Sequence, residues 1–411
     1  MRRSVVLAAG LILIASCSGE AEPPPVSDSA NLPASEGLAP SDSTGPSTTA
    51  SPSDVQEPSG AADPSAITWE ASAFDGQTTE VIVDGETWVA VGRATERGPA
   101  AWTSSDARTW ERAEVVDPQP DELFLGSGLG PTVRLGDSLL SYGTFIGCCD
   151  GRGVLGWRSS DGRSWEVIES ASPLFERGYY VSGLAVGDAV LVAFETEYPV
   201  FADRLWRWTE ETSWVDSTPG TAGTDDPSGI QIQDIVWADG RFVVVGMRHD
   251  PAESEAVIGV SLTSIDGETW DEAPLRPELE DVALFQVAPM PGGGFVALGI
   301  DDASNSLSAG HPVAFTSPDG LVWTPAEAPS ADRSTWPNEI LVVDGGLVAF
   351  GSTTVETLVW SSADGLSWTD AGRLDPGFVA GAARGDQLVV FTADYEDVAT
   401  HFTIHRGTLG D

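Results

Sequence analysis

From Trp69 onward, short apolar stretches alternate with turn residues at an interval too regular to be accidental. Runs such as VIVDGETWVAVG, IVWADGRFVVVG and ILVVDGGLVAFG carry Val, Leu and Phe in alternation with small residues and break at Asp-Gly or its equivalent. This is the signature of two β-strands joined by a tight turn, in which Asp accepts backbone N–H bonds and Gly supplies the positive φ. No window has a convincing helical period. Downstream of each run stands a second phrase, Ser-x-Asp-Gly-x-x-Trp or a close variant. It reads TSSDARTW (Asp106, Trp110), RSSDGRSW (Asp161, Trp165), TSIDGETW (Asp266, Trp270), TSPDGLVW (Asp319, Trp323) and SSADGLSW (Asp364, Trp368). A degenerate copy, WTEETSW, ends at Trp214. Eight residues before each Trp lies another large apolar residue: Trp102, Trp157, Trp206, Leu262, Phe315 and Trp360.

Each period of roughly fifty residues therefore contains four strands, the content of one propeller blade. The last period, from Asp386, has Phe402 in the apolar slot but stops before any Trp. The segment AITWEAS around Trp69 supplies a strand at the front. The spacing predicts an all-β, seven-bladed propeller of four-stranded blades over 67–411, closed by pairing of its N- and C-terminal strands, so that only short sheet edges remain.

The N-terminus is different. Residues 1–16 combine Arg2 and Arg3 with an apolar run too short to span a bilayer, the pattern of an export signal. The run ends in Ile14-Ala15-Ser16-Cys17, which resembles a bacterial lipobox. That resemblance implies lipid on Cys17 and anchorage on the outer side of the cytoplasmic membrane or cell envelope. Residues 17–66 are rich in Ser, Pro and Ala, are acidic and lack aromatics, so they read as a disordered tether with a reach of roughly 40 Å.

Charge narrows the partners. The chain has 63 acidic residues, 20 arginines and no lysine, for a net charge of −43. That excludes nucleic acid as a ligand, because such binding requires a basic surface. The three cysteines reduce to an adjacent pair after lipidation, Cys148 and Cys149, which is a candidate vicinal disulfide.

The Ser-x-Asp-Gly-x-x-Trp phrase resembles the Asp-box, or BNR, repeat of sialidase-like propellers, with one residue fewer between Asp and Trp. The resemblance covers nearly all of 67–411. It implies that the boxes are structural turns on the face opposite any active site. Sialidases of this type use three arginines, a Tyr–Glu pair and an Asp acid, and carry Arg-Ile-Pro near the domain start. This chain has no Arg-Ile-Pro, and Arg108, Arg158, Arg163 and Arg207 fall within or beside the boxes. No catalytic residue is assigned on that basis.

On the opposite face, Tyr180, Trp336 and Phe378 stand at equal spacing before the first turn of their blades and are candidates for ligand stacking. His249, Asp250, Asp301, Asp302 and His311 form an acidic rim that reads as a solvated face. Its carboxylates would suit Ca²⁺ and its histidines a transition metal, but no recognised ligand spacing is present and no cofactor is assigned. His401 and His405 share a strand face and read as a packing pair. The sequence thus points to a lipid-anchored, non-catalytic module for a glycan, wall polymer or protein. The alternatives are an Asp-box glycoside hydrolase and an assembly factor for a membrane complex.

Overall fold

The computed structural model describes residues 63–410 except 96–97, 118–125, 147–151, 169–179, 189, 197–202, 211–212, 220–228, 250–255, 302, 304–309, 332–333 and 395–400. Cys17, the export signal, most of the tether, Cys148, Cys149, Asp250 and Asp302 lie outside the described residues. Among the described residues no helix is long and apolar enough to cross a membrane. The one helical element there is a 3₁₀ turn, Pro277–Leu279.

The described strands form seven sheets. The first is Gln77–Asp84, Thr87–Arg93, Pro99–Ser104 and Glu111–Arg112, in spatial order. The second is built on Thr132–Leu135, Ser138–Ile146, Arg152–Ser159 and Ser164–Ile168. Two short strands are added to it, Gly126–Ser127 and Glu114–Val115, the latter parallel to Ser164–Ile168. The third, fourth, fifth and sixth sheets open with Tyr180–Gly187, Gln231–Ala238, Ala283–Pro289 and Trp336–Val343, and each is a four-stranded antiparallel meander. The seventh opens with Phe378–Arg384 and continues through Gln387–Asp394 and His401–Gly410. Its outermost strand is Asp63–Phe74, from the start of the domain. That strand begins at Asp63, four residues before the boundary expected from the sequence.

Apolar clusters show how the sheets are held together. One cluster lies between each consecutive pair, and Trp88, Trp102, Phe391 and Ile404 join the first sheet to the seventh. The ring is therefore closed by burial as well as by strand pairing. Arg384, on the seventh sheet, spans the same seam. Its guanidinium lies 5.0 Å over the Trp88 ring and donates to the carbonyls of Glu86 and Ser105.

The repeated phrase accounts for the outer half of each sheet. Asp161 Oδ1 accepts the amides of Arg163 (2.8 Å) and Ser164 (3.0 Å) and the hydroxyl of Ser159 (3.1 Å). Ser159 Oγ in turn accepts the Gly162 amide, and Trp165 Nε1 donates back to the Gly162 carbonyl at 2.9 Å. The same turn recurs at Asp106, Asp266, Asp319 and Asp364. Its glycine has positive φ at Gly162, Gly267, Gly320 and Gly365, and Ala107 takes that position in the first box with φ 56°. At Gly320 a side chain would also run into Thr263 and Val243 of the preceding sheet, so the turn is a packing element as well as a bend.

The hydrogen bonds favour the ionised form of the box aspartates. The amides of Thr109 and Arg108 bring Asp106 down to about 2, and Asp161 and Asp266 are held low for the same reason. Burial would raise Asp319, but the amides of Leu321 and Val322 outweigh it and the net shift is downward. Asp319→Ala leaves these donors without their acceptor. It is expected to lower stability by about 2 kcal/mol, seen as a lower urea midpoint at unchanged slope. A loss below about 0.5 kcal/mol would mean the box is dispensable.

Candidate functional site: the mouth of the central channel

Each sheet presents its first strand to the centre of the ring, and these inner strands touch their neighbours all the way round. An inner strand has a hydrogen-bonded partner on one side only, so its remaining N–H groups need acceptors from elsewhere. Six of the seven inner strands carry a β-bulge near their start: at Thr79, Ser182, Gln233, Phe285, Asn338 and Val379. A bulge bends the strand and re-aims the next side chain. The residues that follow are Glu80, Gly183, Asp234, Gln286, Glu339 and Ala380, and all of them line one cavity of about 420 Å³.

Three of these residues are carboxylic acids, and they act alike. Asp234 Oδ2 accepts the amide of Val287 on the fifth sheet at 2.9 Å, and Glu339 Oε2 accepts that of Gly381 on the seventh at 2.8 Å. Glu80 reaches the amide and hydroxyl of Thr132 on the second sheet. Each acid thus clips its own sheet to an inner strand further round the ring.

The clips do not satisfy every acceptor. Glu80 Oε2 and Asn338 Oδ1 are out of contact with solvent and have no hydrogen-bond partner. Burial is the first cause of the raised pKa values. It pushes Glu80 up to about 8 with help from Glu339, and Asp234 up to about 7. Glu339 also rises to about 8, by burial and by the neighbouring Asp234. Near neutral pH the channel therefore holds the protonated carboxyls of Glu80 and Glu339, each both donor and acceptor, beside the amides of Gln233, Gln286 and Asn338. No arginine occurs among the described residues that line the cavity.

Strand direction sets this cavity apart from the boxes. The inner strands begin at the cavity and run to the first turn, the second strands return, and the third run out again to the Asp-box turns. The boxes therefore lie at the far end from the cavity. Arg207 and Arg241 are engaged there, donating to the carbonyls of Asp266 and Asp319 on the following sheets.

The predicted stacking residues are dispersed along the mouth. Tyr180, Trp336 and Phe378 each open an inner strand. Phe378 lines the cavity and stacks on Phe350 at 5.2 Å. Trp336 is part-buried against the cluster that contains Met247 and Ile300. On the rim, His249 and His311 are exposed, and Asp301 Oδ1 accepts the His311 amide at 2.8 Å. Among the described residues no three His, Cys, Asp or Glu side chains come close enough to share a metal ion. His405 is buried and bonds to Thr392 at 3.0 Å, whereas His401 is exposed.

The channel acids were missed in the sequence although they leave a mark there. Glu80, Asp234 and Glu339 each stand immediately before the apolar run that leads to their Asp-Gly turn, the same acidic position in three of the repeats.

No protein-family model and no curated protein matches the chain. Among solved structures, a polysaccharide lyase, Uly1, superposes with a TM-score of 0.54 at 9% identity, over 82% of this chain and 90% of its own. Trypanosoma rangeli sialidase gives 0.45 at 12% identity, and this chain spans 59% of its length. The α-L-arabinanase of Penicillium chrysogenum gives 0.45 at 13%, over 69% of this chain and 93% of its own. At such identities the likeness concerns the fold. The sheets, the closed ring and the superposition on the lyase define a β-propeller.

Proposed function

We propose that the protein is an exported, lipid-anchored propeller that binds a neutral glycan at the mouth of its channel and does not cleave it. The observation that carries this reading is the composition of the cavity wall. Protonated carboxyls and side-chain amides match sugar hydroxyls as paired donors and acceptors. The described wall has no guanidinium for an anionic substituent, and the whole chain is strongly acidic. Neutral oligosaccharides should therefore raise the thermal midpoint, since a ligand of the folded state alone must stabilise it. Acidic counterparts should not do so through this cavity. A panel in which no neutral glycan shifts the midpoint contradicts the reading and directs attention to a protein partner.

One observation favours a second reading, a glycoside hydrolase. Burial raises the proton affinity of Glu80 and Glu339, with Glu339 adding to the rise of Glu80 and Asp234 to that of Glu339, as a general acid requires. Turnover of a glycoside by the wild type, abolished in Glu339→Gln, would establish it.

The anchor is tested separately. Cys17→Ser is expected to shift the protein out of the membrane fraction; an unchanged distribution would remove lipid from the account.

A further inference from the structure

A second cleft, of about 550 Å³, lies far from the channel, at the outer rim where the ring is joined. One wall is the closing strand, with Phe74 facing in. The other is the first sheet, with Trp102, Trp110, Arg108 and Arg112. Phe74 meets Trp102 edge-on at 4.9 Å and Trp110 at 6.1 Å; Trp102 is buried beneath them, so Phe74 and Trp110 supply the part-exposed aromatic face of the cleft. The outermost strand of the first sheet, Glu111–Arg112, is only two residues long and brings its arginine to the cleft.

The lining carries two guanidiniums, Arg108 and Arg112, against one carboxylate, Asp75, in a chain that is acidic overall. Arg112 is exposed and has no ion pair or side-chain hydrogen bond among the described residues. Arg108 pairs with Glu70 at 2.9 Å, but both side chains are more than half exposed, at 62% and 56%. Such a pair contributes little and is readily exchanged for another anion. Two guanidiniums therefore border an aromatic wall in a chain of net charge −43.

We propose that this cleft binds a ring compound bearing a single carboxylate: an acidic monosaccharide, or the acidic end of an oligosaccharide. The apolar face of the ring lies on the aromatic wall, as sugars do on aromatic side chains. Its carboxylate pairs with Arg112 and, by displacing Glu70, with Arg108. Thr95 and Asp75, already bonded to each other at 3.4 Å, supply the polar edge for hydroxyls. A long polyanion is disfavoured, because beyond the screening length of about 10 Å in 0.1 M salt it would still meet acidic surface along its length. This site is independent of the channel and does not rest on the reading given for it.

The test is a tryptophan-fluorescence titration of the full chain with galacturonic acid, with galactose as the uncharged match. The expected result is a saturable change with the acid and none through this cleft with the neutral sugar. Arg112→Gln should weaken the response at least tenfold while leaving the thermal midpoint unchanged. Asn338→Ala, in the channel, should leave it intact. Absence of a saturable response to the acid, or a response equally strong in Arg112→Gln, would overturn the proposal. Sensitivity to Asn338→Ala alone would assign the response to the channel.

Discussion

Replacing Glu80 and Glu339 together by glutamine is expected to flatten most of the loss of thermal stability that the wild type undergoes between about pH 5 and pH 8. The sign follows from the direction of the shifts. Both groups have pKa values near 8 in the folded protein, against an ordinary value of 4.5, and Asp234 rises to about 7. Between the unfolded and folded values the native state holds more protons, so its stability falls as pH rises. The contribution is complete below about pH 4 and is lost as pH passes 7 to 8. Each group is worth on the order of a few kcal/mol, reduced by whatever water enters the channel. The Asp-boxes act in the opposite sense, because their lowered pKa values add stability above about pH 4 that is lost toward pH 2. Maximum stability therefore falls near pH 5. Glutamine keeps an acceptor for the clip to Gly381 or Thr132 and cannot ionise, so the double variant should be the more stable protein at pH 9. Thermal midpoints measured across this range decide the matter; parallel curves for wild type and variant would show that the acids do not titrate as stated.

The second large effect is expected at Gly246. This residue stands on the second strand of the fourth sheet, beside the bulge at Gln233, where the inner strand comes unusually close. A Cβ there would sit 2.1 Å from the Gln231 carbonyl oxygen, and backbone rather than a movable side chain would have to give way. Gly246→Ala should therefore cost about 3 kcal/mol or more, well above the common effect of an added methyl group. Urea denaturation measures it directly. A loss under 1 kcal/mol would show that the bulge can relax. Gly299 meets the same obstacle in Ala283, so the effect should recur one sheet further on.

These two positions also explain what could and could not be read in the chain. The outer half of each sheet was legible, because Asp, Gly and Trp are held at fixed spacing by bonds within one turn. The closing strand around Trp69 was legible for a related reason: the last repeat is visibly short of one element. The channel was not, because its geometry is set between sheets. Val-Val-Val-Gly before His249 and Val-Ala-Leu-Gly before Ile300 repeat a glycine whose need arises from the bulge on another strand. Glu80, Asp234 and Glu339 clip to amides roughly 40 to 50 residues further along the chain, and no local pattern carries that distance. Aromatic size drew attention to Tyr180, Trp336 and Phe378, whereas burial of acids is what distinguishes this mouth from ordinary propeller packing.

The measurement that tests the central claim most directly is a calorimetric titration of neutral oligosaccharides into the wild type and into Asn338→Ala. Asn338 Oδ1 is a buried acceptor without a partner at the bulge of the sixth sheet, and its removal leaves the clip of Glu339 in place. The account predicts saturable binding by the wild type and at least tenfold weaker binding by the variant, with no change in the sugar after incubation. Equal affinity in the two proteins would place the glycan elsewhere, and no binding by the wild type would contradict the glycan reading itself.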